Sequence, residues 1–420
     1  MKPMLMPMVL FVFMIVAAGA FACIDSSLVG AALPGIRAEA GLSAWAESAF
    51  MSLYLVGLAL STAWTGWCLP RIGDRRTLVV GMTAAVAGCI AVAFSGGWIP
   101  GLLLGRFVHG LGAGAVFVVL PYMIAGRSPE AIRGRLGVFF QLMVTAGLAL
   151  GSAIGLAATR FLASESAWRA DYLASVPLAV LVGFLALRLP KSVPHSAPVA
   201  QPAADGVRAR PSVRVLLAVA IPALVQLTGV GVVMCYCVTI LGDVGFVAAG
   251  ANLGDFAVKG LNFAATVAAL LLVDSVGRRP LMVGGFAGAA AGLMLAALSL
   301  LLPDCAPPWI AVAGFGLFVV AFAIGPGGFT WLVPGELLPE ESRSWGLALA
   351  ALGSHVASCA VVGAYQPAAR AFGPGAVLCA FACLSAGSTV LFACLLPETR
   401  AGRRQEPERL QGLTWLVIGQ

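Results

Sequence analysis

Charge is what this chain has least of. Asp, Glu, Lys and Arg make up 10% of its 420 residues beside an apolar content of 60%, whereas soluble domains carry about 25% charged residues. So small a polar complement cannot cover a water-facing surface, which excludes a soluble globular fold. Basic runs interleaved with aromatics are also lacking, so the net charge of +7 is no footprint of nucleic acid. No nucleophile, base and orienting acid are grouped, and no Walker-type phosphate loop occurs, so no enzyme is expected. Gly110-Leu-Gly112-Ala-Gly114 is a small-residue helix face. The ten cysteines fall mostly inside apolar spans, Cys235-Tyr-Cys237 and Cys379 to Cys383 lack His or acid neighbours at zinc spacing, and they read as buried thiols. Neither a metal nor a cofactor is expected.

What the chain has is apolar length, with a mean hydropathy of +0.98. About 20 apolar residues cross a bilayer as a helix, and turn or charge punctuation cuts the sequence into twelve such pieces. They begin near Met4, Trp45, Thr77, Ile99, Leu136, Trp168, Arg214, Leu253, Pro280, Pro308, Trp345 and Gly375. Met1 to Cys23 has the outline of a secretory signal, but the apolar run continues to Leu33 and supplies the first span. Lys and Arg then gather at one set of helix ends, Arg71, Arg75, Arg76, Arg133 and Arg278 among them. Only Arg37, Arg160, Arg169 and Arg370 fall at the other set. The positive-inside rule therefore puts both termini in the cytoplasm. The expectation is an all-α, multi-pass protein of the plasma (inner) membrane, with twelve helices in two six-helix bundles around a central cavity. Its parts are residues 1–190, a cytoplasmic linker at 191–213, residues 214–398 and a cytoplasmic tail at 399–420.

The two bundles echo each other. Arg71-Ile-Gly73-Asp-Arg75-Arg76 follows the second span and Asp274-Ser-Val-Gly277-Arg278-Arg279 the eighth, with the glycines 204 positions apart. Arg133 before the fifth span and Arg343 before the eleventh are separated by a similar 210. Near-equal offsets indicate an internal duplication. The segment from Gly325 to Arg343 is broken by Pro326, Pro334 and several glycines, which a membrane tolerates only where freed backbone groups meet protein or a water-filled cavity.

These pieces together resemble the major facilitator superfamily, and locally its sugar porter family. The matching stretches are Asp25-Ser-Ser-Leu-Val-Gly-Ala-Ala-Leu-Pro34, Gly105-Arg106-Phe107, Ile132-Arg133-Gly134-Arg135, Gln141, Trp168-Arg169, Gln226-Leu-Thr-Gly229, Gly277-Arg-Arg279, Gly325-Pro-Gly327 with Trp331 and Glu336, and Pro397-Glu-Thr399. They run in family order along nearly the whole chain. The resemblance implies a secondary transporter of a sugar or sugar-like solute working by alternating access, with a proton as coupling ion. It implies that Gln141, Gln226, Asn262 and Trp331 contact the sugar and that Tyr236 closes over it. Such a ligand needs amide and indole hydrogen-bonding groups and an aromatic surface, although Gln and Asn also serve as glue between helices. Alternatives are facilitative uniport of a sugar or polyol, drug or metabolite antiport, and a non-transporting sugar sensor. Val225, Gly231, Ala323 and the pair Ser354-His355 depart from the family pattern.

A lone charge near the bilayer centre costs about 2.5 to 3.5 kcal/mol, so Asp25, Arg106 and Lys259 each need a partner or a task. By resemblance, Asp25 and Arg106 form the proton-coupling pair, and a static pair is the bland alternative. Lys259 lies four residues after Asp255 and three before Asn262. It either pairs with Asp255 or offers its charge to an acidic sugar. His109 is a proton relay or a hydrogen-bonded core residue. The resemblance also implies a cytoplasmic gate of Arg71, Arg133, Asp274, Arg278, Arg279, Glu336 and Arg343. Its N-terminal side looks incomplete: Pro70, Gly126 and Lys191 stand where the family has acids, leaving Arg71, Arg75, Arg133 and Arg135 without those partners.

Overall fold

Where lipid is the solvent, a backbone can satisfy its hydrogen bonds only within helices or closed barrels, and this chain takes the first route. A computed structural model describes residues 2–162, 164–190, 211–330, 332–338 and 343–396. The first bundle holds α1 (Lys2–Ala40), α2 (Ala44–Ile72), α3 (Asp74–Ala93), α4 (Ile99–Arg127), α5 (Glu130–Phe161), α6 (Ser164–Leu173) and α7 (Val176–Arg188). The second holds α8 (Pro211–Leu227), α9 (Val230–Asp243), α10 (Ala248–Val276), α11 (Arg278–Leu301), α12 (Trp309–Phe322), α13 (Leu332–Leu337), α14 (Arg343–Phe372) and α15 (Pro374–Leu395). Ten stretches of the described residues are long and apolar enough to cross a membrane, with α6 and α7 sharing one and α8 and α9 another. The 29-residue α10 and 30-residue α14 complete the twelve expected. Of the expected linker, residues 191–210 lie outside the described residues, and α8 begins at Pro211, three positions earlier than the second bundle was drawn. The expected tail, 399–420, also lies outside them.

The duplication read from sequence is a duplication in space. Gly73 and Gly277 each form the joint between two helices, with φ 81° and 104° and ψ near 160° in both. A side chain would strain that left-handed backbone, so glycine recurs at both places. Pairing repeats as well. α1 packs on α5 as α8 packs on α14, α3 on α4 as α11 on α12, and α3 on α7 as α11 on α15.

Two spans of the second bundle are interrupted. Gly229, in the left-handed region at φ 80°, separates α8 from α9, and Thr228 Oγ1 donates to the carbonyl of Val225 at 2.7 Å. After α12 the chain passes through a π-helical turn, Ala323–Gly327, whose Pro326 carbonyl accepts from Thr330 Oγ1 at 2.7 Å. Both hydroxyls take up carbonyls released by the irregular backbone.

The bundles meet at α2 with α14, α5 with α10 and α1 with α9. At the end where α1 finishes, here called distal, one apolar core runs through both, joining Leu33 and Phe50 to Tyr236, Ile240 and Phe315. Towards the opposite end, where α1 begins and α15 finishes, the described cores part. Phe11, Met14 and Phe140 belong to one, and Leu217, Phe286 and Phe392 to another. The molecule is sealed distally and divided proximally.

Candidate functional site

Glycines at a four-residue spacing let α5 lie unusually close to α1. A Cβ at Gly147 would stand 2.1 Å from the carbonyl oxygen of Ala20, and one at Gly151 would stand 2.5 Å from that of Ile24. This close packing fixes the height of Asp25 on α1. Its carboxylate meets Arg106 of α4, with Nη1 at 2.8 Å from Oδ1 and 2.7 Å from Oδ2. Both side chains are buried, at 3% and 1% exposure.

The arginine is held on more than one side. Its Nη1 also donates to Tyr172 Oη at 2.9 Å, and its guanidinium lies 4.4 Å from the ring centre of Tyr54 and 5.2 Å from that of Phe50. Such desolvated cation–π contacts contribute about 2 kcal/mol each. Tyr172 sits at the joint of α6 and α7, so the break in the sixth span delivers a hydroxyl to the pair. His109, one turn after Arg106, places Nδ1 3.3 Å from Asp25 Oδ1 and 3.4 Å from Tyr172 Oη. Thus Asp25, Arg106, His109 and Tyr172 form one polar island in the first bundle. Tyr172, Tyr54 and Phe50 escaped the sequence reading because each looks like an ordinary aromatic in an apolar run.

The second bundle has its own buried ion pair. Lys259 Nζ lies 2.7 Å from Asp255 Oδ1 and 2.8 Å from Oδ2, and both residues are 1% exposed. The lysine therefore turns inward to its acid, not out to the surface. Ser152 of α5 donates to Asp255 Oδ2 from the other bundle. Neither Ser152 nor its partnership with Asp255 was signalled by the sequence.

Around the proposed sugar site the outcome is mixed. Gln226 Nε2 bonds Ser354 Oγ at 3.3 Å, joining two positions where α8 and α14 carry polar groups. Asn262 is buried on α10, and Gln141 is exposed on α5. Tyr236 is wholly buried, its ring 4.7 Å from that of Tyr365, and neither hydroxyl meets a hydrogen-bond partner among the described residues. Trp331 lies outside the described residues. Gly231, a departure from the family pattern, is explained by packing: a Cβ there would stand 2.9 Å from Val362 Cγ2. His355 Nδ1 faces the carbonyl of Ala351 at 2.6 Å, within its own helix.

The gate residues also divide. Arg71 folds back on α2, donating to the carbonyl of Trp67 at 2.7 Å and lying over its ring. Arg279 Nη2 reaches the carbonyl of Ala393 at 2.5 Å, and Arg278 is half-buried. The side chains of Arg133, Asp274, Glu336 and Arg343 lie outside the described residues. The N-terminal side does keep an acid beyond the positions compared with the family. Asp74, buried at the first turn of α3, accepts from Arg127 Nη2 at 2.9 Å and Nε at 3.0 Å. Arg127 Nη1 bonds the carbonyl of Pro190, and Arg75 bonds the carbonyls of Ala186 and Leu187. The acid stands one position after the joint glycine, where a helix N-terminus favours negative charge. Its counterpart in the second half, Asp274, comes three positions before Gly277, so comparing the two motifs position by position overlooked it.

With this geometry in view, the chain can be set beside known proteins. The family profile described as Major Facilitator Superfamily matches residues 15–272, more than half of its length. The chain belongs to the major facilitator superfamily. Members of this superfamily are multi-pass membrane transporters, not an enzyme family, and a second profile, described as Sugar (and other) transporter, matches residues 205–409. The galactose-proton symporter of Escherichia coli is 25% identical over 435 residues, covering 94% of this chain and 93% of that protein. The D-xylose-proton symporter-like 2 of Arabidopsis thaliana is 28% identical over 387 residues, 80% of this chain and 76% of that protein. Among solved structures, a D-xylose-proton symporter shares the fold with a TM-score of 0.83 at 21% identity, over 95% of this chain and all of that one.

Proposed function

We propose that this superfamily member moves a sugar across the plasma membrane by alternating access, in symport with a proton, with both termini cytoplasmic. The observation that carries the reading is the buried pair of Asp25 and Arg106. Charges this far from water persist only when paired, and removing one partner of such a pair costs about 3 to 5 kcal/mol. A proton on Asp25 removes exactly one of the two charges and so changes what Arg106, Tyr172 and His109 must do. That gives proton binding a differential free energy between two arrangements, which any coupled transition requires. The relatives named as proton symporters for galactose and D-xylose support the same choice of driving ion and cargo class.

Gln141, Gln226, Asn262 and Trp331 are the proposed sugar contacts, with Tyr236 closing the distal side. Since Lys259 is already neutralised by Asp255, a neutral sugar fits better than an acidic one. By the positive-inside rule the distal end faces outward, so the sealed distal core corresponds to an inward-facing arrangement. The cytoplasmic arginines Arg71, Arg133, Arg278, Arg279 and Arg343, with Asp274 and Glu336, are the proposed inner gate. The test is uptake of xylose, galactose and arabinose by proteoliposomes, with and without an imposed pH gradient. Accumulation against the sugar gradient only when protons run inward is the expected result. Accumulation that ignores the pH gradient overturns proton coupling, and no uptake of any sugar overturns the cargo.

A further inference from the structure

All four members of the Asp25 island belong to the first bundle, so nothing in that island ties the two halves together. The second buried acid does. Asp255 on α10 is bound to Lys259 of its own helix, one turn along, and that ion pair is complete without any help from α5. Ser152 of α5 nevertheless donates to the same carboxylate from the opposite bundle. The register is regular: three positions further along α5, the Cβ position of Gly155 lies 3.6 Å from Oδ1 of Asn252, three positions back on α10.

We propose that Ser152 and Asp255 form the latch that holds the distal side shut, with Lys259 acting as the fixed countercharge that keeps the carboxylate an acceptor. The proposal rests on the alternating-access reading given above. Hydrogen bonds to an ionised acceptor are roughly twice as strong as neutral ones, whereas thiols donate weakly. Among the described residues, the other side-chain bond between the bundles uses a thiol, Cys359 Sγ to the carbonyl of Ser52 at 3.8 Å. Ser152 to Asp255 is therefore the stronger of the two. Opening the distal end must break it, yet leaves the ion pair intact. The carboxylate then faces the opened cleft with its charge still balanced, so breaking the latch strands no lone charge in the membrane. Ser152 and Asp255 are positioning residues, acting on the balance of conformations and not on the cargo.

The test uses the full chain in sealed proteoliposomes and a membrane-impermeant maleimide, applied to each face in turn. Alkylation of Cys359, half-buried at the distal seam of α14 with α2, is followed by mass spectrometry. Ser152→Ala, which leaves the ion pair untouched, is expected to raise the Cys359 rate about tenfold, the population shift that loss of one hydrogen bond to a charged group produces. The double variant Asp255→Asn/Lys259→Met keeps an acceptor but removes its charge, and should give a smaller increase. It also serves if the alanine variant does not fold. An unchanged Cys359 rate in either folded variant overturns the latch. The two readings fail separately. A raised rate in a protein that accumulates no sugar would refute the proposed cargo and keep the latch, while normal sugar accumulation with an unchanged rate does the reverse.

Discussion

Tyr172, at the joint of α6 and α7, accepts a hydrogen bond from Arg106 Nη1, 2.9 Å away on α4. The arginine thereby has two acceptors, the Asp25 carboxylate and a phenol. When a proton neutralises Asp25, the carboxyl keeps only a neutral, weaker acceptor, and the phenol takes a larger share of the arginine's hydrogen bonding.

Tyr172→Phe removes the phenol acceptor without changing the ring that lies near His109 and Phe50. A hydrogen bond to a charged group contributes about 1.5 to 3 kcal/mol. Proton-driven uptake should fall at least tenfold, with the KM for sugar nearly unchanged. Initial uptake rates across a range of sugar concentrations check it.

Asp25→Asn mimics the protonated carboxyl permanently. Concentrative uptake should vanish, whereas exchange of labelled for unlabelled sugar across the membrane should continue. Counterflow measured with no pH gradient decides the matter, and complete loss of exchange points to a static structural pair.

Arg127→Met removes the arginine that pairs with the buried Asp74 from α4. The expected loss is about 3 kcal/mol of stability, typical of breaking a buried pair from one side. Adding Asp74→Asn to the same chain should restore most of it. Thermal unfolding of the purified protein in one detergent compares the three.

Gly147→Ala drives a methyl into the Ala20 carbonyl at 2.1 Å, in a region where helix backbones cannot yield separately. Overpacking of this kind costs about 3 kcal/mol. Gly137→Ala on the same helix meets nothing within 4 Å and should be neutral. The difference in melting temperature between the two variants is the measurement.

Gly231→Asn inserts the amide that the sugar porter pattern usually carries. Because Val362 already fills that space, the single change should impair uptake, and Val362→Ala in addition should relieve it. Paired uptake assays on the single and double variants test this directly.

What the sequence revealed and what it hid follow from range. The twelve spans, the joint glycines Gly73 and Gly277 and the broken tenth span were legible because each is encoded by neighbours: an apolar run, a turn residue, a proline. The partnership of Asp25 with Arg106 was legible because few charges lie within spans at all, and scarcity made the pairing almost forced. Tyr54 and Tyr172 were not legible, since nothing local separates an aromatic that greets a guanidinium from one that greets lipid. Ser152 carried no local signal. Its acceptor lies 103 positions away, and no pattern within α5 points to it. Asp74 was overlooked for a different reason, a shift of a few positions between two otherwise similar joints.

The two buried ion pairs also fix the electrical character of the empty carrier. Asp25 with Arg106 and Asp255 with Lys259 each sum to zero. On the proposed cycle, an unloaded protein therefore turns over without carrying these charges through the field. A protonated Asp25 leaves the interior at plus one, and moving that charge through the whole potential is worth about 2.3 kcal/mol per 100 mV. Membrane voltage then acts on the loaded inward step and leaves the return step alone, so a negative cell interior accelerates filling without slowing the reset.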